Sequence, residues 1–214
     1  MNKLFASWFL LGLAAALPAQ PQPESAITVL VFNDARVEPA TLARAERQAA
    51  RIHEQAGIQL NWVDCPLTAE ELVHSAVCQL PPSPARVSLR ILPDSVKQVV
   101  GARSWTLGFA FIPASGAFGT DAHICASCCS ELASGNEALR TAVLAHAMAR
   151  ELGHLLLGTP NHSAAGLMHT PWQSKEMQKI AQGQFLFTPQ EGATMSLHAA
   201  KRLSAEAPAL TASR

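Results

Sequence analysis

The residues of this 214-residue sequence best suited to chemistry lie in Arg150-Glu151-Leu152-Gly153-His154, followed by Gly158, His162 and Gly166-Leu167-Met168. Histidines at i and i+4 of a helix share one face, so two imidazoles reach one zinc ion. A glutamate at i+1 then stands beside the metal-bound water as its general base. Glu151 and His154 keep that spacing, but Arg150 occupies the first histidine position. A guanidinium stays protonated and offers only donors, so Arg150 cannot ligate, and its charge opposes a dication. His146 lies one turn earlier on the same face, about 12 Å of helical rise from His154. Two nitrogens bound to one zinc at about 2.1 Å each stand no more than about 4.2 Å apart, which excludes His146. His123, His169 and the late cysteines Cys125, Cys128 and Cys129 remain as replacement ligands.

The element that positions this motif is a predicted helix over Asn136 to Leu157, stopped by Gly158 with Pro160 just beyond. Leu144, Met148, Leu152 and Leu155 form its core stripe, and Ala145, Ala149 and Gly153 admit a closely packed neighbour. The helix is apolar or small almost all round, so it is expected to be buried on several sides. Arg150 and Glu151 must then be paired, hydrated in a cleft or facing an ion. Upstream, a strand at Ala26 to Phe32, a helix at Pro39 to Gln55 and a strand at Ile58 to Val63 suggest a βαβ unit with parallel pairing. Arg86 to Leu92 alternates as a half-exposed strand, Leu107 to Ile112 is another strand, and Gly119 to Ile124 reads as an edge strand. Two helices follow the motif, near Ser174 to Gln182 and Thr188 to Leu203, and 205–214 reads as a frayed tail.

Met1 to Ala19 reads as a secretory signal, with Lys3 before an apolar run and small residues at the cleavage site. Residues 20–25 form a Gln/Pro linker. The apolar run is too short for a membrane span, so no stable span is expected after cleavage and the protein is expected to be secreted or periplasmic. Lys+Arg and Asp+Glu both number 16, leaving no basic footprint for nucleic acid. Export favours disulfides. Cys65 and Cys78 flank a short polar loop and are expected to pair, a closure worth about 3 kcal/mol on the chain-entropy estimate. Among Cys125, Cys128 and Cys129 three readings stay open: a disulfide between two of them, metal ligation, or a redox pair. The leftover thiol is then available to another chain. Trp62 and Trp105 are expected in the core or a cleft wall and Trp172 over the site, with His53, His74 and His198 on the surface or in loops.

The order Glu151, His154, a glycine turn, His162 and Met168 resembles the metzincin zinc peptidases. His162-Ser163 followed by Leu167-Met168 and Pro171 is similar to the matrixin version, and more so to a group of secreted bacterial zincin-like proteins. The resemblance covers most of the chain in element order, but its specific motif is confined to Arg150 through Met168. It implies an α+β domain of zincin type over 26–204, with a mixed sheet packed on the active-site helix. It implies Glu151 as general base, His154 and His162 as zinc ligands and Met168 as the Met-turn methionine. Arg150 in place of the first ligand and a longer gap to His162 depart from the family pattern, and the absence of Tyr removes a residue often used on the oxyanion. Two functions follow: hydrolysis of a peptide or protein substrate by metal-bound water, or a non-catalytic module holding a peptide or anion in the remnant cleft. A thiol-redox protein built on Cys125 to Cys129 is the third reading.

Overall fold

The computed structural model describes residues 26–93 and 107–211, so the predicted signal, the linker at 20–25 and Trp105 lie outside the described residues. Five strands are described: β1 (Ile27–Phe32), β2 (Leu60–Cys65), β3 (Arg86–Leu92), β4 (Gly108–Ala110) and β5 (Asp121–Cys125). They form one mixed sheet in the order β2-β1-β3-β5-β4. The first four in that order run parallel, and β4 runs antiparallel along β5. The helices are α1 (Pro39–Gln55), α2 (Ala69–Leu72), α3 (Ala126–Leu132), α4 (Glu137–Leu157), α5 (Ser174–Ala181) and α6 (Pro189–Thr211). The fold is α+β, and its β1–α1–β2 start pairs in parallel as its spacing predicts.

Local chemistry explains the element ends. The Glu38 carboxylate accepts from the N–H groups of Ala40 and Thr41, and Pro39 sits where no donor is required, so α1 starts there. Gly57, at φ 79°, turns the chain toward β2. Strand β3 alternates along its length, with Val87, Leu89 and Ile91 buried. These residues join Ile27, Val29, Val31, Ala122 and Ile124 in one core with the apolar faces of α1 and α4.

Several expectations need correction. Strand β5 lies inside the sheet, between β3 and β4, so the edge on that side is the three-residue β4. His53 is fully buried on α1, because its Nδ1 donates to the Ala49 carbonyl and removes one polar atom from need of water. Helix α6 continues to Thr211, past the predicted end at Leu203, so the stretch read as frayed is helical from 205 to 211. Helix α3 was not anticipated, since its seven residues hold four small polar or sulfur side chains in place of an apolar stripe.

Cys65 and Cys78 pair as expected, with an S–S distance of 2.05 Å. The bridge pins the segment containing α2 over Leu30, in a small cluster with Phe32, Val63, Leu72 and Val77. No helix among the described residues is long and apolar enough to cross a membrane.

Helix α6 is fastened by a buried cation. Arg202 is 1% exposed and donates to the carbonyls of Pro84, Gly119 and Leu155, with its guanidinium 4.8 Å from the Phe118 ring centroid. One side chain thereby joins the start of β3, the approach to β5 and the end of α4. Arg202→Met removes the donors from these carbonyls and is expected to cost about 3–5 kcal/mol in urea unfolding.

Glu46, 8% exposed, lies between α1 and β2 beside Asp64. Burial, and then Asp64, push its carboxyl up to about 8 from an ordinary 4.5. Between those values the folded chain holds a proton that the unfolded chain has released, so stability falls as pH rises. Glu46→Gln removes this term. The stability of the variant relative to wild type is expected to grow between about pH 5 and 8, by at most about 1.4 kcal/mol per unit. Melting curves across that range provide the check.

Candidate functional site

Helix α4 packs against α1, the β4–β5 edge and helices α3, α5 and α6, which explains why it is buried from Thr141 to Leu156. Asn136 caps its start by accepting from the Leu139 N–H, and Gly158, at φ 66°, ends it in the left-handed conformation. The turn brings the Thr159 carbonyl to 2.9 Å from His154 Nδ1. A carbonyl only accepts, so Nδ1 carries the proton and Nε2 the lone pair. Burial pulls the His154 imidazole down to about 4, opposed by the Thr159 hydrogen bond and helped by Arg150 and His162.

Arg150 lies at the centre of the site, 8% exposed. Its Nη1 donates to Glu151 Oε1 at 2.5 Å, and its Nη2 donates to His162 Nε2 at 2.7 Å. The expected pairing of Arg150 with a carboxylate is therefore made with its own neighbour, Glu151. Because Nη2 can only donate, His162 is held neutral with its Nε2 lone pair engaged. Burial and Arg150 both lower the His162 pKa. Glu151 is 1% exposed, and burial pushes its carboxyl up to about 7 even with Arg150 beside it.

His162 comes back to the helix as the sequence suggests, its ring centroid 5.3 Å from that of His154. The segment after it is a tight turn. Ser163 N–H bonds the Met168 carbonyl, Leu167 N–H bonds the Leu186 carbonyl, and the Ser163 hydroxyl donates to Glu191 at the start of α6. Gly166, at φ 73°, has no room for a side chain, since a Cβ there would lie 2.8 Å from Thr188 Cγ2. The turn buries Leu167 and Met168 completely. A Cβ on Gly153 would come 2.7 Å from Phe187 and 3.1 Å from the Met168 sulfur, so Met168 lies directly under the helix one residue before His154.

The alternative ligands are not brought in. His146 is fully buried, with Nδ1 donating to the Ala142 carbonyl. His123 lies stacked on Phe109 at 4.7 Å. It alternates with Ala122 and Ile124, so it faces away from α4. Among the described residues no group of three His, Cys, Asp or Glu side chains is arranged to hold a metal ion. The donor set does not fit zinc: the first position is a cation, and that cation engages the His162 lone pair and the Glu151 carboxylate.

Arg150 also lines a cavity of about 260 Å3 with Leu107, Cys128, Glu131, Leu132, Thr170 and Trp172. Trp172 is fixed by its indole N–H on the His169 carbonyl at 2.9 Å, which makes it a wall of the site as expected. Leu107, Thr170 and Cys128 were missed as lining residues, and so was Gly108. A Cβ on Gly108 would lie 2.4 Å from the His123 carbonyl and 2.7 Å from Glu151 Cγ, so β4 runs flush against the glutamate. Only the odd glycine in a strand pattern signals such a close approach. Cys125 and Cys128 form a disulfide, and Cys129 is a thiol 1% exposed. That burial, followed by the nearby Glu151, pushes its pKa up to about 12, so it is not available to pair with another chain.

Gly108→Ala is expected to destabilise the fold by about 1–3 kcal/mol in thermal or urea unfolding, as an overpacked methyl does. Comparison with protein-family models, with curated proteins and with solved structures finds no match to this chain.

Proposed function

We propose that the chain is a zincin-like, non-catalytic binding module that holds a peptide in the cleft beside Arg150. The observation that carries this reading is the single guanidinium bonded to both Glu151 and His162, the residues that a zinc peptidase uses as base and ligand. The order of elements, the glycine-ended helix, the returning histidine and the buried Met168 support the zincin-like ancestry. The ligand chemistry follows from the cavity. Leu107, Leu132 and Trp172 offer apolar walls, and Arg150 and Glu131 place one cation and one anion in the lining. A peptide with an apolar side chain and a nearby carboxylate directed to Arg150, away from Glu131, matches the apolar walls and the cation.

The catalytic reading has one observation in its favour, a buried carboxyl at Glu151 raised toward the range of a general base. Hydrolysis by the zincin route needs a metal-bound water, and the donors present do not fit the metal.

Elemental mass spectrometry of protein purified without chelator or tag histidines tests the proposal. Wild type is expected to hold no stoichiometric zinc, and Arg150→His to take up about one zinc per chain. Stoichiometric zinc in wild type would overturn the non-catalytic reading, and a folded Arg150→His without zinc would count against zincin-like ancestry. Peptides with a free carboxyl terminus are expected to bind about tenfold more tightly than their amides in fluorescence anisotropy. That preference should vanish in Arg150→Ala.

A further inference from the structure

The two disulfides differ in the way that decides whether a bridge is permanent or exchangeable. Cys65 and Cys78 are both buried, at 7% and 8% exposure, and close a separation of 13 residues. Cys125 and Cys128 close a separation of 3, which restrains the unfolded chain less. Cys125 is half-buried, so this bridge presents one sulfur-bearing residue to solvent while Cys128 stays inside, at 9% exposure. The Cys128 N–H lies 3.2 Å from Cys125 Sγ and the Ser127 hydroxyl 3.5 Å, two groups able to stabilise charge on that sulfur.

Cavities flank the bridge on two sides. Ala126 and Ser127, the residues between the two cysteines, line a cavity of about 750 Å3 with Arg36, Cys129, Arg140 and Leu144. Cys128 lines the smaller cavity that contains Arg150. A thiol in the larger cavity reaches Ser127, two residues from the half-buried Cys125, and a sulfur released at Cys128 forms in a wall that carries both the Arg150 guanidinium and the Glu131 carboxylate. Cys129, next in sequence, borders the larger cavity but is only 1% exposed, so its thiol is shielded from an approaching partner.

We propose that Cys125–Cys128 is a thiol–disulfide exchange site whose substrate class is a dithiol, attacked at Cys125. A thiolate of the partner bonds to Cys125 Sγ, the Cys125–Cys128 bond breaks, and its electron pair leaves on Cys128, which takes a proton from water. The second thiolate of the partner then attacks the partner sulfur of the mixed disulfide and releases Cys125 as a thiolate. The partner dithiolate loses two electrons and the chain gains them, with one proton taken from water at Cys128 and Cys125 left as the thiolate.

The test uses the full chain, purified oxidised and kept under native conditions. Graded dithiothreitol, followed by alkylation and peptide mapping, is expected to label Cys125 and Cys128 together, at concentrations about tenfold or more below those that label Cys65 and Cys78. Cys129 should stay unlabelled until the chain unfolds. A reduced Cys-x-x-Cys peptide should be oxidised by about one equivalent per chain, and not at all by the double variant C125S/C128S. Brief exposure of wild type to reduced glutathione, quenched with acid, should place the adduct on Cys125; in C128S, where Cys125 is a free thiol, exchange with oxidised glutathione should form the same adduct with release of one glutathione thiolate, and the adduct should persist for want of Cys128. Equal resistance of the two bridges, an adduct on Cys128, or peptide oxidation that survives in C125S/C128S would each overturn the proposal. Where C128S does not fold, the wild-type labelling order and adduct position decide the question alone.

Discussion

A guanidinium inside a protein must find acceptors for its donors, and Arg150 finds them in Glu151 and His162. An unpaired charge at that depth is strongly destabilising, so the pair and the histidine bond are a condition for α4 to run buried through the molecule. The bond to His162 also sets the return path of the chain after Gly158. The returning segment then buries Leu167 and Met168 beneath Gly153. Charge compensation in one turn of helix thus reaches the loop and, through Ser163 and Glu191, the start of α6.

Close packing makes this compensation possible. Ala142, Ala145, Ala147 and Ala149 are buried with Leu144, Met148, Leu152 and Leu155 in the common core, so α4 approaches its neighbours on short side chains. Gly153 and Gly108 take the same principle to its limit, one against Phe187 and Met168 and the other against Glu151. With these contacts water cannot reach the carboxylate, which is why burial dominates the shift at Glu151 and Arg150 only partly offsets it. Arg202 repeats the theme at the C-terminal end of α4, with backbone carbonyls in place of a carboxylate as the acceptors.

The two disulfides act on different parts of the architecture. Cys65–Cys78 holds a satellite cluster on the sheet face opposite α4, away from the motif. Cys125–Cys128 lies between the end of β5 and the start of α3, and its buried member shares a cavity wall with Arg150. The Cys125–Cys128 bridge and the cavity beside Arg150 are thereby neighbours, although their residues come from separate stretches of sequence.

Much of this was written in the sequence because it depends on local spacing. The 3.6-residue period of α4, the left-handed requirement at Gly158, the alternation of β3 and the βαβ start all follow from short-range sterics and burial. The absence of a first ligand was equally legible, since no packing turns an arginine into a donor of lone pairs. Tertiary structure decided the rest. The partner of Arg150, the interior place of β5, the burial of His53 and the identity of the odd cysteine depend on which surfaces meet, and single-residue periodicity carries no record of that. Short elements such as α3 and β4 bury few residues of their own. Their place is fixed by the neighbours they complete: Cys128 opposite Arg150, and Gly108 against Glu151.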